Sequence, residues 1–392
     1  MKVLALTPNT ATMATTRYRL AQYDPICRAH GIDLEIRPFL DETTERILYH
    51  SGHNLSKLAG LAAAARRRIT TTLSGLDADL VYVMREACLM GLPWVETSLA
   101  ALAGKPMIYD LDDPIWLSYR SPTYGRLVML AKIPGKANFL MRMADRIIAG
   151  SDFVAAHARQ YNKQVTVVPT VVDTDRFRPK STIGSNVPSN DGPNDRSNNR
   201  SNDRSRHESH KKAGPVTLGW IGSHSTTPFM DRIIDALDEA ARQVSFRLVV
   251  VGASHPFHAR HFEVDNRSWN LDREIADFQN LDIGLYPMEP SIWCMGKSGL
   301  KAVQYGAVGI PTIASPIGAV NRVLEQDRTG LLVGTPIQWR DAVVRLVSDP
   351  DLRAEMGAAA RKRIVERYSL GAWAPRWVSI LQTTRHSARS HW

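Results

Sequence analysis

The sequence is poor in cysteine and lacks long apolar runs. Its 392 residues include three cysteines, Cys27, Cys88 and Cys294, which lie far apart and form no C-x-x-C pair. This spacing implies neither a disulfide framework nor a cysteine zinc site, and it fits a protein from a reducing cytoplasm. No run approaches the ~18 apolar residues of a membrane span, and the first strand reaches Pro8 too early for a signal peptide. We therefore expect a cytoplasmic protein, with the inner face of the membrane as the alternative location.

Motifs for dinucleotides and nucleic acids are also absent. No G-x-G-x-x-G follows a predicted strand, which disfavours a dinucleotide oxidoreductase. The formal net charge of +10 is spread thinly along the chain, and no nucleic-acid recognition motif accompanies it. The charge therefore favours acidic small molecules or an anionic membrane surface as partners.

Composition divides the chain into two parts. Residues 180–214 repeat Ser, Asn, Asp and Arg without aromatic residues, so they cannot bury enough apolar surface to order themselves. We predict a disordered linker or insertion there. The flanking parts are predicted to be an amino-terminal domain at 1–179, a carboxy-terminal domain at 215–370, and a final helix and tail at 371–392.

Short apolar runs alternate with helical stretches on both sides of the linker. The predicted strands are VLALTP, IDLEIRPF, DLVYVMR, KPMIYDLDD, DRIIAGS and QVTVVPTVVD before it, and VTLGWIGS, FRLVVVGAS, LDIGLYPM, IPTIAS and TGLLVGT after it. Such alternation predicts parallel sheets covered by helices on both faces. The predicted fold class is therefore α/β, with two doubly wound Rossmann-like domains facing each other across a cleft.

The stretch GKSGLKAVQYGAVGIPTIAS, residues 296–315, carries the strongest chemical signal. Its first four residues predict a helix entrance whose backbone N–H groups and lysine suit an anion such as a diphosphate. Helical spacing places Lys297, Lys301 and Gln304 along neighbouring turns. In open parallel sheets, ligands bind at the carboxyl ends of the strands, where this loop would lie. The alternative is a solvated helix with incidental lysines.

Three carboxylates, Asp110, Asp112 and Asp113, crowd the end of a predicted strand. They repel one another unless they are hydrogen-bonded, paired with cations or raised in pKa. One of them could orient an acceptor hydroxyl or act as its base. The alternatives are helix capping before Pro114 and ion pairs with arginines. The arginines considered for these pairs are Arg17, Arg19 and Arg85.

The arginines have functional interpretations of their own. Arg17 and Arg19 follow the first strand, in a segment that should face the cleft, and Arg85 with Glu86 ends the VYVMRE strand. A guanidinium binds phosphate or carboxylate in a bidentate manner, so these residues could contact an anionic donor or acceptor. A basic helix at 56–73, with three consecutive arginines, could rest on anionic lipid headgroups. Structural ion pairs and a solvated helix face are the respective alternatives.

Eight segments together carry a family resemblance. They are TRYRLAQY, VYVMREA, YDLDDPIW, ADRIIAGSDFVAAHA, VVPTVVDTDRF, LGWIGSHSTTPF, and KSGLKAVQYGAVGIPTIASPIGAVNRVL followed by DRTGLLV. In this order they resemble the retaining glycosyltransferases of the GT-B architecture, in the family 4-like branch. The resemblance implies that the second domain binds a nucleotide-diphosphate sugar and that the first binds the acceptor. A sugar-nucleotide epimerase and a non-catalytic nucleotide-sugar-binding protein are the alternatives.

The sequence departs from that family at two sites. Members commonly carry a Glu-x7-Glu pair, whose positions are occupied here by Gly296 and Gln304. Gln304 can still hydrogen-bond ribose hydroxyls, whereas Gly296 offers only backbone groups. The common Arg and Lys pair after the first strand of the nucleotide domain is replaced by small residues in WIGSHSTTPF. Lys297 and Lys301 are expected to supply the missing positive charge.

The resemblance and the residues together give a set of predicted roles. Predicted donor contacts are Gly222, Ser223, Ser225, Thr226, Lys297, Ser298, Gly299, Lys301 and Gln304. Predicted catalytic residues are Asp110, Asp112, Asp113 and Lys297. Predicted acceptor or phosphate contacts are Arg17, Arg19, Arg85 and Glu86. No metal and no bound cofactor are expected; the partners are a nucleotide sugar and a glycan, lipid-linked or small-molecule acceptor, as in polysaccharide biosynthesis.

Overall fold

A computed structural model describes residues 1–48, 52–117, 133, 135–180 and 214–386. The predicted linker lies outside the described residues except at its two ends, residues 180 and 214. The described chain forms two six-stranded sheets, and the registered strand pairs in both are parallel. The predicted α/β class with two doubly wound domains is therefore confirmed.

The first sheet is built from the first half of the chain. Its strands are β1 (Lys2–Thr7), β2 (Asp33–Pro38), β3 (Leu80–Met84), β4 (Met107–Leu111), β5 (Arg146–Ala149) and β6 (Val165–Val167). They lie in the order β2-β1-β3-β4-β5-β6. The direction of strand addition reverses between β1 and β3, so a crevice opens there at the carboxyl ends of the strands.

The second sheet follows the linker. Its strands are β7 (Val216–Ile221), β8 (Phe246–Val251), β9 (Glu263–Arg267), β10 (Ile283–Tyr286), β11 (Thr312–Ala314) and β12 (Gly330–Leu332). Their order is β12-β11-β10-β7-β8-β9, which puts the corresponding crevice between β7 and β10. Strand β9 was not among the predicted strands. Its sequence EVDNR has a single aliphatic residue, which an edge strand with one neighbour tolerates.

Helices cover both faces of the sheets. They are α1 (Ala14–Arg19), α2 (Asp24–Ala29), α3 (Glu42–Leu48), α4 (Asn54–Ser74), α5 (Trp94–Thr97), α6 (Lys136–Met143), α7 (Asp152–Ala158), α8 (Thr227–Asp231), α9 (Ile234–Ala241), α10 (Glu274–Gln279), α11 (Ile292–Met295), α12 (Leu300–Ala307), α13 (Val320–Val323), α14 (Pro336–Ser348), α15 (Pro350–Arg367) and α16 (Leu370–His386). Among the helices of the described ranges, none is long and apolar enough to cross a bilayer.

The last helix returns to the first domain. Trp377 of α16 is buried and stacks on Tyr23, with ring centroids 4.4 Å apart. Leu381 joins the same core, together with residues of β1 and β3. Trp339, by contrast, is buried in the core of the second domain. The final helix therefore completes the first core, and the chain crosses twice between the domains.

Candidate functional site

The crevices of the two sheets face each other across the domain boundary. Lys297 follows β10, and its Nζ lies 3.8 Å from the Oδ1 of Asp113, which follows β4. The hydroxyl of Ser151, after β5, donates to the backbone oxygen of Gly296 at 3.2 Å. The predicted lysine loop and the predicted carboxylate cluster therefore meet in one place, at the carboxyl ends of strands from both domains.

Local sequence explains the shape of the lysine loop. Ser291 caps the one-turn helix α11 by accepting from the N–H of Cys294 at 3.3 Å. Gly299 then adopts a φ of 75°, a left-handed conformation that suits glycine, and α12 begins at Leu300. Within the described part of the chain, the N–H groups of Ser298 and Gly299 donate to no protein acceptor. These donors lie beside Lys297 and are available to an anion.

The two lysines differ in environment. The Nζ of Lys301 lies 5.5 Å from the ring centre of Tyr286, and that of Lys297 lies 5.9 Å from the ring centre of Trp293. Burial, and then the neighbouring charge of Lys297, lower the pKa of Lys301 to about 8. The folded protein therefore carries an ammonium that is costly to keep charged, a feature more common at binding sites than at surfaces.

Arg85 organises the carboxylates on the opposite side. It holds Asp112 with both Nε and Nη2, at 2.5 and 2.7 Å, and contacts Asp113 at 2.5 Å. Its φ of 60° is left-handed, a strained conformation for arginine that places the guanidinium between the two side chains. Burial opposes ionisation of Asp112, but the charge and hydrogen bonds of Arg85 outweigh it and keep the pKa below its ordinary value. Asp113, which is 17% exposed, links cations from both domains.

Asp110 and Arg19 require a correction, because they lie inside the first domain. The Nη2 of Arg19 is 2.6 Å from Asp110 Oδ1, and the hydroxyl of Tyr82 donates to Oδ2 at 2.7 Å. Asp110 is fully buried, so neither residue reaches the cleft, and we assign the pair a structural role.

Glu86, predicted to contact the acceptor or a phosphate, pairs with Lys136 at 3.4 Å. Within the described chain, no three His, Cys, Asp or Glu side chains are grouped to hold a metal ion.

A buried network joins the domains on the other side of α12. The Nε2 of Gln304 donates to the hydroxyl of Tyr18 at 3.1 Å, and that hydroxyl donates to Glu274 at 2.9 Å. Arg17 pairs with the same carboxylate at 2.9 Å. Gln304 was predicted to bind ribose and Arg17 to bind an anion, but both side chains are used in this contact. Sequence reasoning missed Tyr18 and Glu274, because the two lie far apart in the chain.

The loop after β7 keeps part of its predicted role. The Oγ1 of Thr226 accepts from the N–H of Ser223 and donates to its carbonyl, both at 3.1 Å, so this threonine holds the turn. A Cβ at Gly222 would collide with the ring of Trp220, which explains the glycine. The hydroxyls of Ser223 and Ser225 are exposed and 3.1 Å apart. These two hydroxyls remain available to a ligand.

Gly296 lies against the first domain. A Cβ added there would be 2.5 Å from the Cδ of Pro114. A glutamate at this position, as in the resembling family, would therefore displace the segment that carries the aspartates. The carboxylate of Asp113, next to Pro114, instead approaches from the first domain.

We expect Gly296→Ala to destabilise the protein and to reduce any cleft-dependent activity. Overpacking of this kind costs about 1–3 kcal/mol, because Pro114 or the domain must move. The control is Gly371→Ala, where an added Cβ meets nothing within 4 Å in the first turn of α16. Alanine there should stabilise by roughly 0.5–1 kcal/mol. Chemical unfolding of both variants measures the difference, and an equally stable Gly296→Ala protein would contradict the close packing.

The basic helix predicted at 56–73 corresponds to α4, but its arginines do not form one face. Arg68 is buried and donates to the carbonyl of Thr7 at 3.1 Å. Arg67 pairs with Asp41 at 2.9 Å, whereas Arg66 is exposed. Arg68 is therefore not available to lipid headgroups. Contact of this helix with an anionic membrane stays a prediction.

Comparison with known proteins agrees with this architecture. Residues 215–349 match the family model described as glycosyl transferases group 1. A D-inositol 3-phosphate glycosyltransferase of Pseudarthrobacter chlorophenolicus is 40% identical over 116 residues, which are 25% of this chain and 28% of that protein. Its counterpart from Arthrobacter sp. strain FB24 is 39% identical over 64 residues, 16% of this chain and 15% of the relative. The chain thus covers under a third of the length of these relatives.

Solved structures match over nearly the whole chain. A glycosyltransferase from Rickettsia africae has a TM-score of 0.66 at 13% identity, with 98% of this chain and 99% of that one covered. Anabaena HepE in complex with UDP and glucose has a TM-score of 0.62 at 14% identity, with 98% and 100% covered. At these identities the likeness shows the fold. The predicted GT-B architecture and the resemblance to group 1 glycosyltransferases are both confirmed.

Proposed function

We propose that this protein transfers a sugar from a nucleotide-diphosphate donor to a hydroxyl acceptor, with retention at the anomeric carbon. The observation that carries the proposal is the pairing of Lys297 with Asp113 across the cleft, at the crevices of both sheets. The relatives named D-inositol 3-phosphate glycosyltransferases, and a fold neighbour that binds UDP and glucose, support the same class of reaction.

The donor diphosphate binds at the entrance of α12. Lys297 and the N–H groups of Ser298 and Gly299 contact its oxygens from one side, and the hydroxyls of Ser223 and Ser225 from the other. Lys301 adds a second charge from within the helix. As the bond to the sugar breaks, negative charge grows on the departing diphosphate, and these fixed donors stabilise it.

The acceptor approaches from the first domain. Asp113 is the more accessible of the two carboxylates that Arg85 binds, and it orients the acceptor hydroxyl toward the anomeric carbon. Arg85, which also binds Asp112, holds Asp113 in place. We propose a glycan or lipid-linked acceptor and no resident cofactor, with the nucleotide sugar as a substrate.

We propose a cytoplasmic location for the protein. The three cysteines are free and buried, which suits a reducing compartment such as the cytoplasm.

The test is product analysis with a panel of nucleotide sugars and acceptors. We expect release of nucleoside diphosphate that depends on an acceptor, and a glycoside with the donor's anomeric configuration by NMR. An altered donor sugar without any acceptor would establish an epimerase instead. Calorimetric binding without transfer or hydrolysis would establish a non-catalytic protein.

We expect donor binding to weaken as the pH rises through about 8. Lys301 carries its charge below that pKa and loses it above, whereas the diphosphate needs the charged form. Titration calorimetry from pH 7 to 9 should show rising dissociation constants for wild type and a flatter profile for Lys301→Met. An identical slope in both proteins would exclude Lys301 from the site.

The same substitution should stabilise the fold. The pKa of Lys301 falls from 10.5 in an exposed lysine to about 8, so the folded state is penalised while the ammonium is charged. At neutral pH, Lys301→Met removes that penalty, of the order of 1–3 kcal/mol. In wild type, the free energy of unfolding should rise between pH 8 and 10, because the unfolded chain retains the proton that the folded chain has lost.

A further inference from the structure

An apolar stripe runs along the outward face of α4. Its exposed members recur at helical spacing and are Leu55, Leu58, Ala62, Ala65, Ile69 and Leu73. Leu55 exposes 84% of its surface and Leu73 64%. A stripe of this kind normally faces a core or a partner, and here it faces solvent.

The stripe continues into a groove at the end of α4. The groove has a volume of about 490 Å³ and is lined by Leu73, Leu76, Trp94 and Leu102, among others. Leu102 is 83% exposed and Trp94 40%. From their exposed fractions, the large side chains of the stripe and groove leave roughly several hundred Å² of apolar surface in water, at the upper end of what monomeric proteins usually leave uncovered. A stable interface buries roughly 800 Å² per partner, so this surface could supply a substantial part of one.

The charges around the stripe favour a protein partner over a lipid surface. Of the three arginines of α4, Arg67 and Arg68 bond to other parts of the first domain. Arg66 remains beside the stripe, and Asp77 follows it at the far end. Membrane-surface helices carry a row of cations along their polar face, and α4 lacks one.

The stripe is complementary to itself when a second copy runs antiparallel. A two-fold axis between Ala62 and Ala65 places Leu58 opposite Ile69 of the other copy, and Leu55 opposite Leu73 and the adjoining groove. The alanines at the crossing point let two helices approach closely, while the large side chains fill the space toward both ends. The same axis puts the two Arg66 side chains on opposite flanks, where they do not repel at close range.

We infer that α4 is a dimer interface, in which two copies of this chain pack their stripes antiparallel about a two-fold axis. Such an interface is isologous, so each contact occurs twice. The cleft residues take no part in it, and the inference holds whatever reaction the cleft performs.

Light scattering after gel filtration tests the dimer. We expect a dimer for wild type and monomers for Leu58→Glu and Leu73→Glu. Both variants should keep the wild-type circular dichroism spectrum, because the substituted positions face solvent in the monomer. Ile337→Glu is the matched control, since Ile337 is 60% exposed on α14 of the other domain. That variant should remain dimeric. A monomeric wild type, or dimeric Leu58→Glu and Leu73→Glu proteins, would overturn the inference.

Cross-linking tests the antiparallel register. A short bis-maleimide should join a Leu58→Cys chain to an Ile69→Cys chain in a mixture, but should join neither variant to itself. The native cysteines are buried and should react slowly. Efficient linkage of Leu58→Cys to itself would exclude the antiparallel arrangement. Wild type that is monomeric and sediments with phosphatidylglycerol vesicles through Leu58 and Leu73 would assign the stripe to a membrane instead.

Discussion

Lys297→Ala is expected to lower kcat/KM for sugar transfer by about 10²–10³-fold while the protein stays folded. The size follows from removing one preorganised group that stabilises charge on the departing diphosphate. Lys297 is partly exposed, and the ion pair it forms within the described residues, with Asp113, is long at 3.8 Å, so its loss should cost little stability. Steady-state kinetics with the donor identified by the panel measure the effect.

Lys362→Ala serves as the matched control for that variant. Lys362 lies on α15 and is exposed, so its removal changes the net charge by the same amount at a different place. We expect wild-type kinetics from it. Equal rates for Lys297→Ala and wild type would remove Lys297 from the mechanism.

Asp110→Ala is expected to reduce the free energy of unfolding by about 3–5 kcal/mol, because it leaves the buried Arg19 guanidinium without its counter-charge. Arg19 is 4% exposed and Asp110 is fully buried. Tyr82 would also lose the acceptor for its hydroxyl. Urea unfolding, followed by the tryptophan fluorescence of the first domain, measures the change.

The double variant Arg19→Met with Asp110→Leu separates structure from catalysis. It replaces the ion pair by apolar side chains of similar size, so most of the lost stability should return. Activity should return with it if the pair is structural. An Asp110→Ala protein of normal stability but without activity would restore the catalytic role predicted from the sequence.

The sequence allowed most strands, and their parallel packing in two sheets, to be predicted, because short apolar runs such as LVYVM and FRLVVV are typical of buried parallel strands. The order of the strands was not predicted. It did not allow β9 to be predicted, since EVDNR has neither alternation nor an apolar run. The buried position of Asp110 could have been predicted from the sequence. Asp110 lies within the apolar run MIYDL, before the strand ends, whereas Asp112 and Asp113 follow the strand. A carboxylate inside a fully buried strand is expected to be paired with a buried cation.

The contacts between domains explain most of what the sequence could not show. The amide of Gln304 has the donor and acceptor groups that a ribose contact needs. In the structure it bonds instead to Tyr18, which is 286 positions away and could not be identified from the sequence. From the sequence, Gly296 is only a position where the family usually has a glutamate. The structure shows that Pro114 packs against it and leaves no room for a side chain. Lys297 and Asp113 were each predicted from local chemistry, and the fold brings them together.

The most direct test of the account is a crystal structure with a nucleoside diphosphate bound. The account predicts a diphosphate at the entrance of α12, with its oxygens within hydrogen-bond distance of Lys297 Nζ and of the N–H groups of Ser298 and Gly299. A diphosphate bound elsewhere, with Lys297 still paired to Asp113 and the loop empty, would contradict it.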